Sequence, residues 1–208
     1  TTTAVGAAIT LRASSFIHVA SAKQIRTAGG NIVLWADSDN NSAGYVRLLG
    51  NATLCSTAGT CGTTTTGGGD IVIGGGLAST TSPAQPGGAA AGSGSTYNTT
   101  GGVDTTGVQL GTMGVGSSGA KLYSAGGNIR VYGRMHSSPG AEWAAGIAVV
   151  GGTEILSGTG KINLIGETTS AGGSGPDGTM EINAWSGTVN LTSLSTASDA
   201  ILIEGRQV

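Results

Sequence analysis

The sequence has few aromatic residues, few charged residues, little proline and no long apolar run. Its 208 residues include three Trp, four Tyr and one Phe, with nine Lys or Arg and eleven Asp or Glu. The net charge of −2 argues against disorder driven by charge repulsion and against nucleic acid or an anionic membrane as the partner. No apolar run approaches the roughly 18 residues needed to cross a bilayer, so we expect no direct membrane insertion.

Glycine, in contrast, is abundant, with 40 of the 208 residues. It interrupts nearly every window in which a helix could form, and each interior Gly costs a helix about 1 kcal/mol. There is no Gly-X-Y period and only four Pro, which excludes collagen. The sequence therefore predicts an all-β protein whose layers lie close together, because its small side chains cannot fill a wide core.

A short cassette recurs along the chain: one or two Gly, a polar residue, then apolar residues at alternate positions. The segment AGGNI stands at 28–32 and again at 125–129. Alternating apolar residues indicate a strand with one buried face, and the intervening Arg47, Arg130 and Asn163 are predicted to face solvent. The predicted inward pairs are Ile32/Leu34, Val46/Leu48, Ile71/Ile73, Ile129/Val131, Ile147/Val149, Ile162/Leu164, Met180/Ile182, Val189/Leu191 and Ile201/Ile203.

These short strands favour a parallel β-helix, whose narrow interior accepts small residues. At about 18 to 25 residues per coil, we expect roughly seven to nine coils. Residues 77–106 interrupt the pattern with Pro, Gly and Ser, and we interpret them as a loop insertion; the alternative is a linker between two smaller solenoids. The chain lacks an initiator Met and ends within a predicted strand, so we expect 1–208 to be one solenoid segment of a longer protein.

Four cassettes carry a resemblance to a known family: GGNIVLWADSD (29–39), GGGDIVIGGG (67–76), GGNIRVYG (126–133) and GTGKINLIG (158–166). Together with the background of Thr, Ser, Gly and Ala, they resemble the repeat region of filamentous haemagglutinin-like adhesins, giant bacterial surface proteins of the two-partner secretion type. The resemblance covers nearly the whole chain outside the insertion. It implies a right-handed parallel β-helix, secreted or at the cell surface, that contacts a glycan or protein on a host or neighbouring cell.

Cys55 and Cys61 are the only cysteines, in the segment CSTAGTC. Their spacing fits a local disulfide, which would stabilise the fold by about 2 kcal/mol. An even number of cysteines is typical of a secreted protein, in keeping with such a bridge. Two unpaired thiols are the main alternative, because the spacing fits no zinc pattern and no His is near in sequence.

Asp37, Asp39 and Asn41 place acceptor oxygens at alternate positions, as in the opening of a calcium loop. However, Ser42 and Leu48 replace the Gly and the bidentate Glu of that loop. The alternative is a polar turn in which Asp and Asn cap their own backbone. We therefore predict no metal site. If the chain did bind calcium, these three residues would be the candidate ligands.

The large amphipathic side chains are candidates for a contact surface. Trp35, Tyr97, Trp143 and Trp185 could stack on the sugars of a glycan. The alternative is that they cover coil ends or the base of the insertion, with their apolar bodies against Gly-rich backbone.

The carboxylates are scattered, mostly one to a turn, rather than paired as in glycosidases. We therefore predict a non-enzymatic structural and adhesive segment of a large extracellular bacterial fibre or adhesin, without a cofactor. It would serve as a stiff spacer and a contact surface. Two alternatives stay open: a β-helical polysaccharide lyase or glycoside hydrolase, and a module that assembles end to end with copies of itself.

Overall fold

The structure is a computed structural model, and the residues that it describes are 1, 3–79, 85–92, 105–112, 118–136, 145–168, 178–183 and 187–208. Within these ranges the chain forms eighteen β-strands and no helix. The strands are β1 (Ile9–Arg12), β2 (Ile17–Val19), β3 (Gln24–Arg26), β4 (Ile32–Trp35), β5 (Val46–Leu48), β6 (Thr53–Cys55), β7 (Ile71–Ala78), β8 (Pro86–Gly88), β9 (Ala90–Ala91), β10 (Val108–Leu110), β11 (Lys121–Tyr123), β12 (Ile129–Met135), β13 (Ala145–Val150), β14 (Glu154–Gly158), β15 (Ile162–Thr168), β16 (Gly178–Asn183), β17 (Asn190–Ser193) and β18 (Ile201–Gln207).

Sixteen of the strands form three parallel sheets, while β8 pairs antiparallel with β7 and β9 pairs with β12. The first sheet has the order β1-β4-β7-β12-β15-β18, the second β2-β5-β10-β13-β16 and the third β3-β6-β11-β14-β17. Each passage of the chain therefore adds one strand to each sheet in turn, as in a β-solenoid. The prediction of an all-β parallel fold is confirmed.

The core is a ladder of aliphatic side chains at matched register positions. Most of the predicted inward residues, from Ile32 to Leu164, belong to one buried cluster that runs through all three sheets. Parallel pairing in register repeats the same residue type from strand to strand, so each Ile packs on another Ile. The ladder in the first sheet consists of Ile9, Ile32, Ile71, Ile129, Ile162 and Ile201.

The inward residues of the last strands pair with buried residues but are not covered. Ile182, Ile201 and Ile203 are the register partners of Val149, Ile162 and Leu164, yet they are 47%, 41% and 45% exposed. They lie on β16 and β18, each the last strand of its sheet among the described residues, so no further strand covers them. The solvent assignment is wrong for Arg47, which is only 1% exposed on the outside of the second sheet.

The corner between the third and first sheets explains the repeated AGGN segment. Ser124 Oγ donates a hydrogen bond to Gly127 O, and Ser157 Oγ does the same to Gly160 O. A Cβ on Gly127 would lie 2.2 Å from Gly69 O, and one on Gly160 would lie 2.0 Å from Gly127 O. Gly is needed here because consecutive turns of backbone touch at this corner.

The expected coil length is too short. Register partners in the first sheet stand further apart in sequence than 25 residues at every step except that from Ile9 to Ile32. The longer corners take up the difference, and among the described residues the path through the first sheet has six strands. Part of segment 77–106 also belongs to the first sheet, because β9 pairs with β12 and its Ala90 is buried. Of that segment, 80–84 and 93–104 lie outside the described residues.

Candidate functional site

A polar groove of about 340 Å³ lies on the outer face of the first sheet. It runs across β7, β12, β15 and the turn before β18, and Gln85, next to β8, lies at its side. The lining side chains carry both charges and several amides, and only one of them is aliphatic. They are Asp70, Val72, Gln85, Asn128, Arg130, Lys161, Asn163 and Asp199.

A ladder of side chains fixes the end of the groove where the strands begin. Asn31, Asp70 and Asn128 each immediately precede a strand of the first sheet. Asn31 Oδ1 accepts from Asp70 N at 2.9 Å, Asp70 Oδ1 from Asn128 N at 2.7 Å, and Asn128 Oδ1 from Lys161 N at 3.0 Å. These bonds hold the Asp70 and Asn128 side chains in place, because each is tied to the backbone of the next strand.

Three other groups of the groove make no hydrogen bond with the described residues: the Arg130 guanidinium, the Gln85 carboxamide and Asn163 Oδ1. Within the described part of the chain, no hydrogen bond or ion pair involves the side chains of Arg130 and Gln85. Asn163 Oδ1 is buried and has no hydrogen-bond partner. Arg130 and Asn163 are register partners on β12 and β15, so their side chains stand next to each other on one face.

The remaining cation of the groove is already paired. Lys161 Nζ lies 2.6 Å from Asp199 Oδ1, and this pair lowers the pKa of the Asp199 carboxyl. The groove thus offers one uncommitted guanidinium, that of Arg130, with carboxamides beside it. Such a set can bind an anionic group and hydroxyls together.

A recess of about 190 Å³ adjoins the groove and shares Val72, Arg130 and Asn163 with it. Pro86–Gly88 (β8) and Tyr132 also line the recess. Its lining also includes the aliphatic Ile73 and Ile165, so it extends the groove with a less polar surface.

Tyr132 belongs to an ion-pair cluster at the far end of β12. Its hydroxyl donates to Glu167 Oε1, and Arg134 donates to Glu167 Oε2 from Nε at 2.9 Å and Nη2 at 2.8 Å. Burial and the Glu167 carboxylate raise the pKa of Tyr132. Arg206 Nη1 lies 3.4 Å from Tyr132 Oη, and its guanidinium also binds Glu204 at 2.7 and 2.8 Å.

The cluster therefore brings two carboxylates near each other on the outer face, the arrangement that an enzyme would require. Its chemistry differs, however, from that of an acid–base pair. Arg206 lowers the pKa of Glu204, whereas a general acid needs a raised one. Glu167 is buried and is occupied by Arg134 and Tyr132. The geometry is that of a structural ion-pair network.

The structure corrects the role expected for Trp35. This side chain is only 2% exposed and packs with Val33 and Val72. Its Nε1 donates to Gly76 O at 2.8 Å, and the Arg12 guanidinium lies 4.4 Å from the ring centroid. It is therefore a packing residue and not a contact residue. The other three candidates, Tyr97, Trp143 and Trp185, lie outside the described residues.

The candidate calcium residues form a hydrogen-bonded turn. Asn41 Oδ1 and Asp37 Oδ1 both accept from the backbone N–H of Ala43, at 2.9 and 3.4 Å. Asp39 Oδ2 accepts from Asn41 Nδ2 at 2.9 Å. Burial raises the pKa of Asp37. Among the described residues, no group of three or more His, Cys, Asp or Glu is placed to hold a metal ion.

Cys55 and Cys61 are joined by a disulfide, with their Cα atoms 5.9 Å apart. The bond closes the start of a long corner between β6 and β7. The Arg26 guanidinium holds the same corner through Thr57 O and Ala58 O, at 3.4 and 3.3 Å, and a Cβ added at Gly62 would lie 3.4 Å from the ring of Tyr123. The corner is thus fastened over the outer face of the third sheet.

Sequence reasoning placed Arg130 and Asn163 on the outer face but did not identify the groove. The sequence does not show which residues lie next to these two in space. Lys161 and Asp70 line the groove from separate turns of the solenoid, and Gln85 lines it from segment 77–106. The only local signal was a polar residue directly before the strands β4, β7 and β12.

Comparisons of the chain with protein-family models, with curated proteins and with solved structures found no match. The described residues contain no helix that could span a lipid bilayer.

Proposed function

We propose that this chain is a right-handed parallel β-helix of five complete turns and one further strand, acting as a non-enzymatic spacer and contact surface. It would belong to a large extracellular bacterial fibre or adhesin. The observation that carries this proposal is the continuous aliphatic ladder enclosed by three parallel sheets. Such a stack resists bending because every turn is bonded to the next along its length.

Two further features support the proposal. The disulfide between Cys55 and Cys61 suits an oxidising compartment outside the cytosol. The polar groove on the first sheet provides a contact surface on a rigid scaffold, where partners can approach the flat side of the solenoid.

Adhesion of coated beads tests the contact function. Beads that carry the chain should bind to cultured epithelial or bacterial cells above the level of beads that carry albumin. Adhesion equal to the albumin control on every cell type tried would contradict an adhesive role.

A second candidate is end-to-end self-assembly, favoured by the exposed Ile182, Ile201 and Ile203 at the last strands. An uncovered strand edge with apolar neighbours can pair with another chain. Sedimentation velocity at 5 and 200 µM separates the two candidates. The concentrations differ about 40-fold, which is enough to shift an association equilibrium with a micromolar dissociation constant. A spacer gives one sedimentation coefficient, whereas an assembling module gives larger species at the higher concentration.

A further inference from the structure

The groove on the first sheet contains polar groups that the fold itself does not use. Arg130 is exposed and its guanidinium makes no hydrogen bond or ion pair within the described part of the chain. The neighbouring Asn163 Oδ1 is buried without a hydrogen-bond partner. A buried acceptor that is left unsatisfied destabilises a folded protein. Asn163 lines the groove beside Arg130, so its carboxamide is near any ligand that lies there.

We propose that this groove binds a carboxylate-bearing glycan, with the uronate carboxylate on Arg130 and the sugar hydroxyls on Asn163, Gln85 and Asp70. The inference rests on the proposed contact function and names its ligand class. A guanidinium binds a planar carboxylate through two parallel hydrogen bonds. Carboxamides both donate and accept, which matches hydroxyl groups that do the same.

The charge distribution favours a ligand with both an acid and hydroxyls. Lys161 is neutralised by Asp199 at 2.6 Å, so Arg130 is the cation available for an anion. Asp70 retains an acceptor oxygen, because only its Oδ1 is bonded to Asn128. A carboxylate accepts from a sugar hydroxyl, so Asp70 can bind hydroxyls of a ligand whose acid group lies on Arg130.

The shape of the groove fits an extended chain of sugars. The four residues along one side, Asp70, Asn128, Lys161 and Asp199, belong to successive turns of the solenoid. Three steps between neighbouring strands correspond to roughly 14 Å. The groove thus accommodates a short oligosaccharide lying across the strands. Its polar lining offers no apolar pocket that would select peptide side chains.

Isothermal titration calorimetry with trigalacturonic acid tests the inference, with the uncharged maltotriose as the matched sugar. The wild-type chain should bind the uronate, and Arg130→Gln should weaken that binding about tenfold or more because the bidentate contact is lost. Arg130→Lys keeps the charge and should recover only part of the affinity. Lys23→Gln is the control, since Lys23 is an exposed cation beside the third sheet and not in the groove.

Three outcomes would overturn the inference: no binding of trigalacturonic acid by the wild-type chain, equal affinity in Arg130→Gln, or an equal loss in Lys23→Gln. Tighter binding of a polyglutamate peptide than of the uronate would also overturn it, in favour of an acidic protein partner. Thermal unfolding of each variant confirms that the fold is retained. Bead adhesion measured in parallel separates the two proposals. Adhesion without uronate binding would contradict only the proposed ligand, and uronate binding without adhesion would contradict only the adhesive role.

Discussion

Strands β12 and β18 belong to the same sheet and carry the same inward pattern, yet they differ in burial. Ile129 and Val131 on β12 are fully buried, whereas Ile201 and Ile203 on β18 are 41% and 45% exposed. The difference comes from neighbours, because β12 lies between β7 and β15 while β18 pairs only with β15 among the described strands. The alternating pattern therefore specifies which side of a strand faces inward, and the stack decides how much of that side is buried.

Substitution of Ile129 by Asp should have the largest effect, because it buries a charge without a partner in the middle of the ladder. We expect a loss of about 4 kcal/mol or more in the free energy of unfolding. Ile201→Asp should cost only about 1 kcal/mol, since its charge can reach water. Urea unfolding followed by tryptophan fluorescence measures both, and equal losses would show that position in the stack does not matter.

This comparison also shows what the sequence can predict. The period-two pattern identified the strands and the inward residues from Ile32 to Leu164, because alternation is a local property of a strand. It did not distinguish Arg47 from Arg130, which occupy similar places between apolar residues. The Arg47 guanidinium lies 4.9 Å from the Tyr45 ring centroid and is covered, whereas Arg130 is exposed in the groove.

The length of each turn was also beyond sequence reasoning. The corner between β6 and β7 is much longer than the corner between β3 and β4, although both join the third sheet to the first. Solenoid corners tolerate such excursions, because the strands keep their ladder hydrogen bonds without them. A fixed repeat length therefore does not describe the unequal spacing of the strands along the sequence.

The corner at Gly127, between the third and first sheets (the Gly corner), provides the next test of how closely the inner turns stack. A Cβ at Gly127 would lie 2.2 Å from a backbone oxygen of the preceding turn, so Gly127→Ala should cost about 2–3 kcal/mol. The matched control is Gly178→Ala at the start of β16, where the nearest atom to the new Cβ is 3.8 Å away. That variant should stay within about 0.5 kcal/mol of the wild-type protein. Similar thermal stability of the two variants would contradict close stacking at the corner.

The disulfide should contribute less than the Gly corner does. Replacement of both Cys55 and Cys61 by Ser should lower the free energy of unfolding by about 2 kcal/mol, because the bridge restricts a short loop of the unfolded chain. Reduction of the wild-type protein should give the same loss. Mass spectrometry of alkylated, non-reduced protein should find neither cysteine labelled, and labelling of both would refute the bridge.

A change of pH should have the smallest effect on the free energy of unfolding. This effect should also differ between an ion pair on an inner turn and one on the last strand. Hydrogen bonds from Lys121 Nζ (2.7 Å) and Tyr123 Oη (2.6 Å) lower the pKa of Glu154 below its ordinary value of 4.5. The unfolded chain then takes up the proton first as the pH falls, so the stabilisation is present above pH 4.5 and is lost as the pH drops through the folded pKa.

Because Glu154 is partly exposed, this stabilisation should amount to at most about 1 kcal/mol. Urea unfolding between pH 7 and pH 3 should show a shallower decline for Glu154→Gln than for the wild-type protein. Glu204→Gln is the comparison on β18, where the carboxyl is as exposed as that of Glu154 but Arg206 alone lowers its pKa, so a smaller change in slope is expected. A larger change in slope for Glu204→Gln than for Glu154→Gln would mean that the pair on the last strand, rather than the pair within the stack, governs the acid sensitivity of the fold.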